Sequence, residues 1–131
     1  MDKSEIPFLS ASQLARLIES REVSPVEATE AYLDRIDAVD GQLNSYIAVL
    51  KDNARASARQ AEAEIAAGNY RGPLHGLPVA VKDQFYTAGI VTTGGSSILR
   101  DFVPDEDSTV MAKLNEAGAV LLGKLLSLIH I

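Results

Sequence analysis

Gly76-Leu77-Pro78-Val79-Ala80-Val81-Lys82-Asp83 is the stretch on which the fold turns. Pro78 to Val81 form a short apolar run that reads as a buried strand. The next residue is a cation, and a buried or half-buried ammonium is costly unless it is paired or its pKa is lowered. Everything upstream reads as helices. Downstream come a small-residue loop, a helix and a second apolar run, Ala119 to Leu122. Strand, helix, strand predicts a crossover in a buried, mostly parallel sheet, hence an α/β fold. Sites in such sheets gather at the carboxyl ends of the strands, where both Lys82 and Lys124 are expected to sit.

Working back from this stretch, three helices are predicted. Ser10 and Gln13 have capping-box spacing ahead of Leu14, Leu17 and Ile18, which predicts a helix over 11–20. Ser24-Pro25-Val26-Glu27 combines an N-cap serine, proline at the first helical position and glutamate at the third. The helix it opens is expected to stop near Asp40-Gly41, before a short strand-like run over 46–50. Residues 52–67 are rich in Ala, Glu, Arg and Gln, a good helix by propensity, closed by Gly68. Its apolar stripe is mostly alanine, so close but weak packing is expected. The ordinary reading of all three is scaffold. Working forward, Gly72 to Pro78 is a loop by its two glycines and two prolines, and a turn is expected around Thr87-Ala88-Gly89. A helix over 108–117 follows the acids of Pro104-Asp105-Glu106-Asp107 and is closed by Gly118.

The chain has 131 residues, enough for one domain at most, with 47% hydrophobic and 23% charged residues. Its net charge of −6, with no basic cluster, argues against a nucleic-acid or anionic-membrane surface. The absence of cysteine excludes disulfides, thiolate catalysis and zinc-thiolate sites. His75 and His130 are the only histidines, too few for a histidine metal centre. The first residues are acidic and carry no apolar signal segment, and no stretch approaches the roughly 20 apolar residues of a membrane span. A cytoplasmic protein is the default expectation.

Taken one at a time, the candidate residues each have an ordinary reading beside a functional one. Lys82 is either a strand-terminal lysine snorkelling to water or paired with an acid, or a base. Work as a base near pH 7 to 8 requires a lysine pKa about 3 units below its usual value of about 10.4, and burial supplies such shifts. Gly118 to Lys124 nearly matches the spacing of a phosphate-binding loop. It fails because Leu125 stands where Ser or Thr is needed and the intervening residues are strand formers. Thr93-Gly94-Gly95-Ser96-Ser97 lacks a strand-to-helix elbow and a nearby base, and reads as loop structure. His75 reads as a hydrogen-bonding loop residue.

Taken together, the residues say more. Gly72-Pro73-Leu74-His75-Gly76-Leu77-Pro78-Val79-Ala80-Val81-Lys82-Asp83 resembles the first motif of the amidase signature family. Gly89, Thr92-Thr93-Gly94-Gly95-Ser96 and Gly118 to Lys124 follow in the order and approximate spacing of that family, and Ser24-Pro25-Val26-Glu27 leading to Ala31-Tyr32-Leu33 and Ile36 is also typical of it. The resemblance covers about residues 9 to 125. It implies an α/β/α fold with a mixed, largely parallel sheet, and hydrolysis of carboxamide C–N bonds by a Ser–cis-Ser–Lys triad without a cofactor or metal. It implies that Lys82 is the triad lysine and that Asp83 is a partner behind it, although a carboxylate too close would oppose a lysine base. The substrate implied is a small-molecule or peptidic amide.

The same resemblance implies that the bridging and nucleophilic serines come after these residues; Ser96 and Ser97 match an earlier loop of the family and are not triad members. The 131-residue chain by itself is therefore expected to be inactive, and aggregation-prone or molten because its sheet is incomplete. Leu126-Ser127-Leu128-Ile129-His130-Ile131 departs from the family pattern and resembles the translation of a transposon-end sequencing adapter. The expected division is thus 1–125 as the N-terminal part of an amidase domain and 126–131 as a non-native tail. Two alternatives stand beside the amidase. One is the A subunit of a tRNA-dependent amidotransferase, which implies partner subunits, where the amidase reading allows a homodimer. Pro104-Asp105-Glu106-Asp107-Ser108-Thr109 lacks the Pro-Tyr-Asp-Ala-Thr pattern associated with that subunit. The other is a non-enzymatic helical interaction module.

Overall fold

The computed structural model describes residues 1–126; the tail expected over 126–131 falls outside it from residue 127 on. After a short 3-10 turn at Lys3–Phe8, the elements are α1 (Ala11–Glu19), α2 (Pro25–Leu43), β1 (Tyr46–Val49), α3 (Lys51–Ala66), β2 (Pro78–Lys82), α4 (Thr109–Glu116) and β3 (Val120–Leu125), with a second 3-10 turn at Ser97–Leu99. The strands form one mixed sheet in the order β1-β3-β2. β2 and β3 are parallel and joined through α4, the crossover expected from sequence, while β1 runs antiparallel to β3. A module of helices alone does not fit this sheet.

The helix starts form as their residues dictate. Ser10 accepts from the Gln13 amide while the Gln13 side chain accepts from the Ser10 amide, a complete capping box. Ser24 and Glu27 make the same reciprocal pair, and Pro25 fills the first turn, where a missing N–H costs nothing. Ser24→Ala is expected to cost about 1 kcal/mol, read as a lower denaturant midpoint at unchanged slope.

Two boundaries differ from the sequence expectation by more than one residue. α2 runs through Gly41 to Leu43, because Asn44, with φ +53°, takes the left-handed cap position and Asp40 accepts from the Ser45 amide. β3 continues past Leu122 to Leu125, carrying Gly123 and Lys124 into the sheet. Gly123 is required there by close approach: a Cβ would meet the Ala48 carbonyl oxygen and lie 2.8 Å from the Tyr46 ring.

Two apolar clusters hold the layers together. Ile6, Leu14, Ile18, Val23, Ala28, Ala31, Ile65 and Leu77 join α1 and α2 to the segment entering β2. Leu33, Ile36, Ala54, Ala58, Val120 and Leu122 pack α2 and α3 onto β3. The alanine stripe of α3 is buried as expected: Ala54, Ala58 and Ala61 let the helix lie close to its neighbours. No helix of the described residues is long and apolar enough to cross a membrane.

Candidate active site

Lys82 is the last residue of β2, half-buried and aligned with Leu125 of β3. Lys124 aligns with Val81. Neighbouring residues of a strand point to opposite faces, so the two lysines leave the sheet on opposite sides. Their surroundings differ accordingly. Among the described residues Lys82 enters no ion pair, whereas Lys124 is 0% exposed and engaged. Its Nζ donates to the Phe85 carbonyl at 2.6 Å and to Thr87 Oγ1 at 2.7 Å. The Thr87 hydroxyl in turn donates to the Phe85 carbonyl at 3.1 Å, which leaves its oxygen free to accept from the ammonium. Burial pushes the Lys124 pKa down, against the attraction of the Asp83 and Asp107 carboxylates. The near match to a phosphate-binding loop is thereby explained: Gly123 and Lys124 lie in a paired strand, and the lysine is committed to the protein's own oxygens.

Asp83, expected to stand behind Lys82, is 2% exposed and faces a different partner. Its Oδ2 accepts from the Thr93 amide at 3.1 Å and from the Thr93 hydroxyl. The Asp83 carbonyl accepts from the Gly94 amide at 2.6 Å, and Thr93 Oγ1 from the Gly95 amide at 3.1 Å. Oδ1 is buried with no hydrogen-bond partner among the described residues. A carboxylate that spends one oxygen on two donors in the loop is held away from forming an ion pair with the preceding lysine. The Thr93-Gly94-Gly95 loop is therefore a clamp on the exit from β2. Ser96, next along, caps the following 3-10 turn by accepting from the Ile98 amide.

His75 is a buried loop residue held by hydrogen bonding, as expected, with 1% exposure. Its Nδ1 accepts from the Arg71 amide at 3.1 Å, which assigns the proton of a neutral ring to Nε2. Nε2 lies 2.9 Å from Glu64 Oε2 without making a hydrogen bond to it. Glu64 is taken up chiefly by Arg71, which grips both carboxylate oxygens at 2.6 and 2.8 Å and reaches the last carbonyls of α4 at Asn115 and Glu116. Arg71 thus ties α3, the loop before β2 and the end of α4 into one unit. Among the described residues no group of three or more potential metal ligands occurs.

The geometry thus brings together, at the carboxyl end of β2, a lysine with no ionic partner among the described residues, a buried carboxylate and a clamped glycine loop. Known proteins resemble this chain in sequence and fold. The profile of the Amidase family matches residues 27–126. The chain is 46% identical over 125 residues to "Putative amidase AmiD" of Mycobacterium tuberculosis, covering 95% of this chain and 26% of that protein. It is 54% identical over 121 residues to the A subunit of glutamyl-tRNA(Gln) amidotransferase from Geobacter sulfurreducens, covering 92% and 25%. Among solved structures, native peptide amidase from Stenotrophomonas maltophilia matches with a TM-score of 0.85 at 35% identity, over 92% of this chain and 25% of that one. The chain spans about a quarter of the length of these relatives. Sequence, sheet topology and family profile agree over nearly all of the described residues, and the chain belongs to the amidase family.

Proposed function

We propose that this chain supplies the lysine of a serine amidohydrolase site, with Lys82 as the base that drives cleavage of a carboxamide C–N bond. The observation that carries the reading is the placement of Lys82: at the carboxyl end of β2, half-buried, with no ion pair among the described residues. In this reading the two hydroxyls of the triad belong to a part of the fold outside these 131 residues. Neutral Lys82 takes a proton from the bridging serine as that serine takes one from the attacking serine. The serine oxygen adds to the amide carbonyl, and the C–N bond breaks as the nitrogen receives the proton and leaves as ammonia or amine. Water then cleaves the acyl ester to carboxylate and restores the serine. Asp83 acts behind Lys82 by fixing the strand exit through Thr93. The substrate class is a small-molecule or peptidic amide, and the site needs no cofactor.

The test is ammonia or amine release from a panel of amides by a protein of full family length, with and without Lys82→Ala. Release by the parent that disappears in the variant supports the reading, and release that survives the substitution overturns it. A second reading is favoured by one observation, the 54% identity to the A subunit of an amidotransferase, against 46% to the amidase relative. In that reading Lys82 serves the same chemistry on glutamine, and the ammonia passes to an aminoacyl-tRNA in a complex with partner subunits. Hydrolysis by the purified protein alone favours the amidase; glutamine-dependent transfer that requires partners favours the amidotransferase.

A further inference from the structure

The β2 exit holds a second lysine that the proposed chemistry does not use. Lys124 is the largest fully buried side chain among the described residues. An ammonium is costly to bury, and a plain apolar residue would pack β3 more cheaply unless the charge has a task. Its two short hydrogen bonds reach back 37 and 39 residues to the segment that leaves β2. One acceptor is the Phe85 carbonyl and the other the Thr87 hydroxyl, so the contact reads backbone position directly. The Phe85 amide also donates to the Lys82 carbonyl at 3.1 Å, so three residues separate the buried ammonium from the proposed base through one tight turn. From the other side, Asp83 anchors Thr93 and Gly94. The carboxylates whose charges act on Lys124 are Asp83 at the β2 exit and Asp107 before α4. β1 contributes Ala48 at the aligned position and no charge.

We propose that Lys124 is a positioning residue for the amide chemistry: its buried ammonium pins the Phe85–Thr87 turn and balances the buried Asp83 carboxylate, so that Lys82 leaves the opposite face of the sheet in one fixed direction. The inference rests on the assignment of Lys82 as base. It accounts for a feature that this assignment leaves open, namely how a carboxylate adjacent in sequence fails to capture the catalytic lysine. Asp83 Oδ2 is held on its own side by the Thr93 amide and hydroxyl.

Lys124→Met keeps the stem and removes the charge. The fold is expected to survive, since the Phe85 carbonyl still accepts from the Thr87 hydroxyl. In the full-length protein, kcat for an amide that the parent hydrolyses is expected to fall about 10²-fold, the cost of a misplaced catalytic group, with KM within about twofold. Adding Asp83→Asn removes the unbalanced carboxylate and is expected to recover roughly 10-fold of that loss, a coupling that independent sites do not show. Thr87→Val, which leaves the ammonium and removes one acceptor, provides the same split between kcat and KM should the methionine variant fail to fold. An unchanged kcat in Lys124→Met, or equal loss in kcat/KM through KM alone, or no recovery in the double variant, overturns the proposal. Full activity in Lys82→Ala overturns the parent reading instead, so the two failures are distinguishable.

Discussion

A full-length protein carrying Lys82→Arg is expected to lose roughly 10⁴-fold in kcat for amide hydrolysis, as far as removal of a triad member takes other serine hydrolases. Lys82→Met should fall equally far. The comparison is informative because arginine keeps the length, the charge and the hydrogen-bonding capacity of the position while its guanidinium stays protonated at every working pH. If Lys82 merely carried positive charge toward a developing oxyanion, arginine would retain much of the rate. If it accepts a proton, arginine is as useless as methionine. Neither change should disturb folding: the side chain is half-buried at a strand terminus and enters no ion pair among the described residues. Coincident circular dichroism spectra and denaturant midpoints would establish that the loss belongs to chemistry. Arginine activity within about tenfold of the parent, a deficit of only about 1.4 kcal/mol in the barrier, would remove Lys82 from the role of base.

What the sequence reveals about this chain follows how local the physics is. Both capping boxes lie within four residues, and both form as read. The parallel pairing of β2 with β3 was legible because an apolar run, a capped helix and a second apolar run leave few other arrangements. The end of α2 was not, because Gly41 is tolerated on an open helix face and the real stop is Asn44 in the left-handed conformation. Lys124 was harder still. Charge argues for exposure, and nothing near residue 124 announces that its acceptors lie at Phe85 and Thr87. The available signal was a lysine embedded in the apolar run from Val120 to Leu126, a cation where the pattern demands burial. The contact of Asp83 was not legible, since only the folded loop brings Thr93 to its carboxylate. The contacts of Lys124 and Asp83 were missed because they join residues distant in sequence, and the end of α2 because a tolerated glycine reads like a stop, while the readings that held rest on short-range spacing.

Gly118→Val is expected to destabilise the fold by about 3 to 4 kcal/mol from two separate costs. The first is conformational: Gly118 closes α4 with φ +79°, where a side chain, above all a β-branched one, clashes with its own backbone. The second is steric. A Cβ would collide with the His75 ring, lying 3.1 Å from both Cγ and Nε2. That ring has nowhere to retreat, because it is 1% exposed, its Nδ1 is held by the Arg71 amide and it stacks near Tyr70. The damage should not remain local. The Gly118 carbonyl accepts from the Gly76 amide at 2.8 Å, and the Val120 amide donates to the Leu77 carbonyl at 2.9 Å, the contacts that start the β2–β3 ladder. A shift at Gly118 therefore reaches the strand that carries Lys82. Gly41→Ala is the matched control, being helical with nothing within 4 Å of the added carbon, and it should gain about 0.5 to 1 kcal/mol. Equal midpoints for the two variants in chemical denaturation would show that His75 and Gly118 are not the tight joint between the loop before β2 and the end of α4 that the packing describes.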